Sequence, residues 1–307
     1  MHYGIVCLND MLVSLHIPRT VITIIIIVSF YSIGNDYSYN LVGTPTAFAQ
    51  PVPDEKGVVM FNYKETKRTV YNPLILASWG LSYFTQYENT GDNQSKEYLI
   101  NTANWLASNA KDKQGGKYSI WEYNFTWPWY YGVTPPYYSA YAQAVGVVVL
   151  AHAYDLTENE TYLDKAHSAL QAFAVDYDRG GVMTVEDSQG NSMFFHELVK
   201  PGFKKTYVLN GHTGSLLHMW QYYELSHDPQ AKSIFDKGIN YLKQNLWKYD
   251  TGNWSLYDQV LFNNMKERST NTYHKIHIDH LNRLYNITGE PILKEYADRF
   301  SKYLVQH

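Results

Sequence analysis

The run Tyr273-His274-Lys275-Ile276-His277-Ile278-Asp279-His280 sets a phenol and three imidazoles within a few residues, and Tyr257 precedes it in the Gly-containing stretch Asp250 to Asp258. Phenols and imidazoles carry protons and hydrogen-bond sugars. Asn271 or Thr272 can cap a helix beginning here, which puts Tyr273 in the first turn, where the helix dipole favours a developing phenolate or a substrate carboxylate. His274, His277 and His280 step by three and fan across one side of that helix. At most two of them can converge on one ion, so no metal site is expected. Hydrogen bonds to a sugar acid or to neighbouring backbone suit them better. A carboxylate joins these groups: Glu197 closes the strand-like run Phe194-Phe195-His196. Among aromatics it would lose water and its pKa would rise toward that of a general base, although a plain surface glutamate fits the same residues. The belt from Trp121 to Tyr131, with Trp127 and Trp129, is either a sugar-stacking platform or a hydrophobic plug, and the two roles are compatible.

The elements that must hold these groups repeat. Helices are expected over Leu74–Tyr87, Ala140–Leu156, Gly211–Leu225 and Lys275–Ile287. Each is followed by a short turn and a second helix, over Tyr98–Leu106, Tyr162–Leu170, Ile234–Leu242 and Ile292–Phe300. Within the second helices apolar residues recur so as to bury one face. Pro229 and Pro291 read as helix starts, Gly91 and Gly289 as helix stops. The ends of the second helices, Leu106, Leu170, Leu242 and Phe300, are 64, 72 and 58 residues apart. That is more than a hairpin needs. The surplus lies in excursions rich in Gly and aromatic residues, one of which, Gly180 to Glu197, reads as a β-hairpin turning at Gln189-Gly190-Asn191. The fold expected is therefore mainly all-α, an α/α toroid of about four helical hairpins with small β-hairpin excursions gathered at one rim, where binding sites of repeat scaffolds usually lie.

Composition bounds the rest. The 307 residues carry a net charge of -4, which leaves little support for a nucleic-acid partner. The single cysteine, Cys7, allows neither an internal disulfide nor a cysteine-ligated zinc site. The apolar run Val21–Phe30 follows Arg19, and Ala47-Phe48-Ala49 before Gln50 matches a small-x-small cleavage site. Residues 1–49 are thus expected to be a secretory leader or an N-terminal membrane anchor, residues 50–69 a linker, and residues 70–307 the toroid. An extracellular or cell-surface location follows.

Several segments, in order, resemble the C-terminal domain of the D-glucuronyl C5-epimerases. They are Asn72-Pro-Leu-Ile-Leu-Ala-Ser-Trp-Gly-Leu81, Tyr138-Ser-Ala-Tyr-Ala-Gln143, the Tyr162-Leu-Asp-Lys-Ala pattern, Gly181-Val182, Phe195-His-Glu197, Val208-Leu-Asn-Gly211, Tyr249-Asp-Thr-Gly252, Tyr257-Asp258, and Tyr273-His274 with His277 and Leu281. The resemblance implies an α/α barrel of helical hairpins. It also implies a site built on Glu197, Tyr257 and Tyr273, with Tyr138, Gln143, Asn210, His274, His277, Trp127 and Trp129 as substrate contacts. The chain departs from the family in two places. Leu198 stands where Glu-Tyr usually continues, and Gln259-Val260 where Tyr-Asp-Leu-Arg does. Inverting C5 of a hexuronate in a polysaccharide needs two proton carriers flanking the ring and no cofactor. Glu197 and Tyr273 are the expected carriers, Tyr257 assisting, with His274 and His277 on the carboxylate of a uronic-acid-containing glycan. A uronate lyase, which begins with the same proton abstraction, and a non-catalytic glycan-binding surface protein are the alternatives.

Overall fold

Proline and side-chain caps set where the helices begin. Pro73 opens α1 (Pro73–Thr90) behind Asn72, whose side chain accepts from the Ile75 N–H, and Asp92 caps α2 (Asn93–Asn109). Ser139 caps α3 (Ala140–Thr157), and Asn159 caps α4 (Glu160–Leu170). α5 (Leu209–Ser226) starts without a side-chain cap, whereas Asp228 and Pro229 open α6 (Pro229–Asn245). α7 (Asn271–Thr288) is capped by Thr270, slightly upstream of the expected Asn271 or Thr272, and α8 (Pro291–Val305) follows at Pro291. Gly91 and Gly289 end α1 and α7 in the left-handed conformation that glycine adopts without penalty.

The computed structural model describes residues 49–63, 68–127, 132–262 and 265–305. These helices form four hairpins: α1 with α2, α3 with α4, α5 with α6, and α7 with α8. The first helix of each hairpin packs on the first helix of the next, so α1, α3, α5 and α7 make an inner row. α3 and α5 are apolar or buried almost all round, as inner helices must be, while α6 and α8 keep a polar face. This is an α/α-toroid architecture. One main core runs from Leu76 through Val147 and Leu216 to Phe300. A second, aromatic cluster holds Phe61, Tyr63, Tyr123, Phe125, Tyr137 and Leu198.

Small antiparallel hairpins fill the connections from each second helix to the next first helix. They are β4–β5 (Lys111–Lys113, Tyr118–Ile120), β6–β7 (Met183–Val185, Met193–Phe195) and β8–β9 (Leu256–Phe262, Met265–Arg268). By connectivity they gather at the end where α3, α5 and α7 begin. β6–β7 is the expected hairpin, in the register Met183 with Phe195.

The linker expected over residues 50–69 is corrected. β1 (Ala49–Pro53), β2 (Val59–Tyr63) and β3 (Arg68–Val70) form a three-stranded sheet. The reason is visible in Val59-Met-Phe-Asn-Tyr63, whose alternation buries Val59, Phe61 and Tyr63. Residues 1–48, which hold the expected leader or anchor, lie outside the described residues. Among the described residues no helix is long and apolar enough to cross a membrane.

Candidate active site

Glu197 is held by the backbone on both sides of it. The His196 carbonyl accepts from the Ala140 N–H at 2.8 Å, and Val199 exchanges two hydrogen bonds with Tyr138 at 2.8 and 3.0 Å. Behind it, the Phe195 N–H donates to His212 Nδ1 at 3.1 Å, which leaves His212 Nε2 to donate to the Gly238 carbonyl. These ties lock Glu197 between the starts of α3 and α5.

Its side chain lies on the first turn of α5. A Cβ on Gly211 would stand 2.5 Å from Glu197 Cβ and 2.6 Å from Glu197 Oε2, so only glycine leaves room for this carboxyl. Just before that turn, Tyr207 takes the left-handed conformation at φ 54°, costly for a bulky residue. Two bonds hold it there: its hydroxyl donates to Glu186 and its carbonyl accepts from Tyr249. Among the described residues Glu197 Oε2, which is buried, has no hydrogen-bond partner, and the same is true of Asn210 Oδ1 in the first turn of α5. Burial, and then the charge of Asp258, push the Glu197 carboxyl up to about 7. It can therefore hold or release a proton near neutrality.

Phenols surround that carboxyl. Tyr273, in the first turn of α7, is pushed up by burial and then by the negative charge of Glu197, while a hydrogen bond with Tyr257 works the other way. The Tyr257 and Tyr273 rings meet edge-on, 4.8 Å apart at 61°. Tyr257 reaches this position from an irregularity in β8, where the pairing register shifts between Leu256 and Leu261. Such bulges re-aim a side chain. Tyr123 is buried and raised in part by Glu197, and Tyr63 of β2 acts on both Tyr123 and Tyr273. Tyr141, in the first turn of α3, also acts on Tyr273, and its ring lies where a Cβ on Gly214 would be. Three helix starts thus meet at one carboxyl. Each presents its positive end to an anion bound there.

Of the residues expected from sequence, Glu197, Tyr257, Tyr273 and Asn210 come together. Others do not. Tyr138 is buried and donates its hydroxyl to the Gly180 carbonyl at 2.6 Å. Gln143 is buried, accepting from the Trp121 N–H and donating to the Ser119 and Ala169 carbonyls. Both fasten one segment to another. His274 takes the other use expected of it, bonding its neighbours, and His277 does so through one nitrogen. His274 accepts from the Ser255 N–H at Nδ1 and so donates from Nε2 to the Phe300 carbonyl, while its ring stacks on Trp254 at 3.8 Å. His277 is fully buried with Nδ1 on Ser255 Oγ at 2.8 Å, and among the described residues its Nε2 has no partner. They lie on the buried stripe of α7 together with His280, Leu281 and Leu284.

The aromatic belt is largely a plug: Trp121, Tyr123, Phe125 and Tyr137 are buried, with Tyr123 stacked on Tyr137 at 4.8 Å. Trp127 is half-buried and meets both of these rings edge-on. Trp129 lies outside the described residues. Sequence reasoning missed Tyr63, Tyr123, Tyr141 and Asp258 as neighbours of the site. Tyr141, two residues after the Ser139 cap, carried a readable signal. Among the described residues no group of histidines, cysteines or carboxylates could hold a metal ion.

The family model for the D-glucuronyl C5-epimerase C-terminus matches residues 114–302, a span that contains Glu197, Tyr257 and Tyr273. The chain belongs to this family. A D-glucuronyl C5-epimerase of Caenorhabditis elegans is 29% identical over 219 residues, covering 66% of this chain and 34% of that protein. An uncharacterized protein of Methanocaldococcus jannaschii is 29% identical over 205 residues, covering 66% of this chain and 64% of its own length. The chain thus spans less than two thirds of either relative. Among solved structures, a cellobiose 2-epimerase of Bacillus thermoamylovorans aligns with a TM-score of 0.56 at 9% identity, over 78% of this chain and 62% of that one. A family 76 glycoside hydrolase from a bovine Bacteroides thetaiotaomicron strain aligns at 0.53 and 12% identity, over 88% and 56%. These two share the fold.

The departures from the family pattern have structural accounts. Leu198, where the epimerase family usually has a tyrosine, is buried in the aromatic cluster. Val260, at the place of the family arginine, is buried in the same cluster, and Gln259 before it donates from Nε2 to the Lys248 carbonyl at 3.0 Å and from its N–H to the Thr206 carbonyl at 3.1 Å.

Proposed function

We propose that the protein is a carbohydrate epimerase inverting C5 of hexuronic acid residues, of the D-glucuronate to L-iduronate type, within a polysaccharide. The observation that carries this reading is the buried Glu197 carboxyl, pushed up to about 7 and faced by the phenol of Tyr273. C5–H is weakly acidic because it lies α to the substrate carboxylate. Ionised Glu197 takes that proton, and the electron pair passes into the carboxylate as an enolate-like intermediate. Tyr273, kept protonated by its surroundings, gives its hydroxyl proton to C5 on the opposite face. Glu197 is then protonated and Tyr273 ionised. The hydrogen bond to Tyr257 stabilises that phenolate until proton exchange resets the pair. Asn210 Oδ1, buried without a partner, is an acceptor for a sugar hydroxyl. The helix starts carrying Tyr141, Asn210 and Tyr273 favour the added negative charge of the intermediate. In this reading the glycan is outside the cell, and the chain reaches it through the leader or anchor expected at residues 1–49.

A non-catalytic glycan-binding reading draws on one observation: Val260, where the family pattern has an arginine, is buried in the aromatic cluster and offers a substrate carboxylate no charge. Incubating the protein with a panel of uronate polymers in D2O separates the readings. Deuterium at C5 with no new ultraviolet absorbance supports epimerisation. Unsaturated, absorbing products would make it a lyase, and binding without exchange a binder.

A further inference from the structure

The β8 irregularity contains a carboxylate that the proton-transfer scheme does not use. Asp258 is fully buried, and its Oδ1 accepts the Val260 N–H at 2.8 Å. That bond closes a tight turn of backbone inside the stretch where the β8–β9 register shifts. The next residue, Gln259, is fastened to Thr206 and Lys248, the first of these on the segment leading into α5. The residue before it is Tyr257, whose ring meets Tyr273. A buried carboxylate that pins its own turn keeps its charge only where something repays the lost water, and its field reaches other buried groups with little screening. The titratable groups facing Glu197 are Asp258 of β8, Tyr273 of α7 and Tyr123 of the segment after β5. Of these, Asp258 is the one whose charge raises the Glu197 carboxyl. Asp258 also acts on Tyr249, whose hydroxyl bonds the Tyr207 carbonyl.

We propose that Asp258 is a positioning residue: its buried carboxylate fixes the β8 turn that aims Tyr257 at Tyr273, and that same turn sets a carboxylate facing Glu197. The inference rests on Glu197 being the proton carrier, and it assigns to this chain a device that sets the pH range of the site. With Asp258 ionised, the Glu197 carboxyl titrates close to neutrality. Without that charge, burial alone raises it and the midpoint lies lower.

The test is a titration of the Glu197 carboxyl by carbon-13 NMR on the full chain, its resonance assigned by its loss in Glu197→Gln. Asp258→Asn keeps an oxygen for the Val260 N–H and removes the charge. The Glu197 midpoint is expected to fall by roughly one unit, with the acid limb of C5 exchange moving by the same amount. Asp258→Ala removes the pin as well and is expected to lower exchange at every pH, which Asp258→Asn does not. A midpoint that stays put in folded Asp258→Asn overturns the proposal. Should that variant not fold, Asp258→Ser is titrated in the same way. In the wild-type protein Asp258 must be ionised throughout the range where Glu197 titrates, and a protonated Asp258 there also overturns it. The titration needs no substrate. A shifted midpoint without any C5 exchange therefore sinks the epimerase reading alone, and exchange with an unmoved midpoint sinks this one alone.

Discussion

Tyr273 and His274 are neighbours in the first turn of α7, yet they belong to different regions of the molecule. Tyr273 turns toward Glu197, a carboxyl whose Oε2 has no partner and whose proton is loosely held near neutrality. His274 turns into a knot in which Ser255 bonds His274, His277 and Ser269, and in which the His274 ring is also tied to the Phe300 carbonyl. Both regions are buried and both are rich in groups that can carry protons. What separates the two neighbours is saturation. Both ring nitrogens of His274 are bonded, so it holds the fold together. The Glu197 carboxyl that Tyr273 faces keeps, among the described residues, an unmade bond that a ligand can take, as does His277 Nε2 deeper in the knot.

The contrast predicts a division of phenotypes. Glu197→Gln is nearly isosteric and should lower C5 exchange by about 10²- to 10⁴-fold, the usual worth of a general base. Its melting temperature at pH 8 should be unchanged or higher, because folding places the wild-type carboxyl where ionisation is disfavoured. Loss of stability without loss of exchange would put Glu197 on the wrong side of the comparison.

The histidines should dominate acid stability. Burial depresses His152, His212 and His277 to about 3 and His218 to about 4, against 6.5 for a free imidazole. Neutral in the fold, they leave stability intact above pH 6.5. As pH falls from 6.5 toward 3 the unfolded chain binds protons that the fold refuses, which costs on the order of 1 kcal/mol per histidine for each unit. Glu197 works in the opposite sense. Its raised pKa adds stability below its ordinary value of 4.5, and that contribution is lost as pH rises toward 7. Urea unfolding at pH 7.5, 6.5 and 5.5 should therefore show a fall that sets in below 6.5, and a flat profile over that range would refute it.

His274→Ala should cost about 3 kcal/mol, since it opens a cavity and leaves the Ser255 N–H and the Phe300 carbonyl unpaired. The KM for a uronate polymer should not change. A raised KM with normal stability would return His274 to the substrate. The smallest effect is expected from Leu198→Tyr. Restoring the phenol usual in the family overpacks the aromatic cluster by about 1–3 kcal/mol, seen in thermal melts, and should bring no gain in rate.

Sequence reading found the eight α-helices of the described residues because their apolar spacing, proline starts and glycine stops agree with one another. It missed the sheet of residues 49–70 although Val59 to Tyr63 alternates cleanly, because Pro51 and Pro53 make the preceding strand look like a connector. That sheet matters, since it brings Tyr63 to the site. Glu197 was legible as a carboxylate among aromatics. Its availability was not, because that depends on Gly211 leaving room and on bonds made far along the chain. The histidine types suggested chemistry, with bonds to neighbouring groups as the other use open to them. Their positions, in the same stripe as Leu281 and Leu284, marked them as core.

The most direct test of the account compares wild-type protein with Tyr273→Phe for deuterium uptake at C5 of a uronate polymer in D2O. The variant loses one hydroxyl and keeps the ring against Tyr257. Uptake by the wild type, reduced at least about 10²-fold in the variant at unchanged melting temperature, is the predicted result. Equal uptake by the two proteins would contradict the assignment of Tyr273 as a proton carrier.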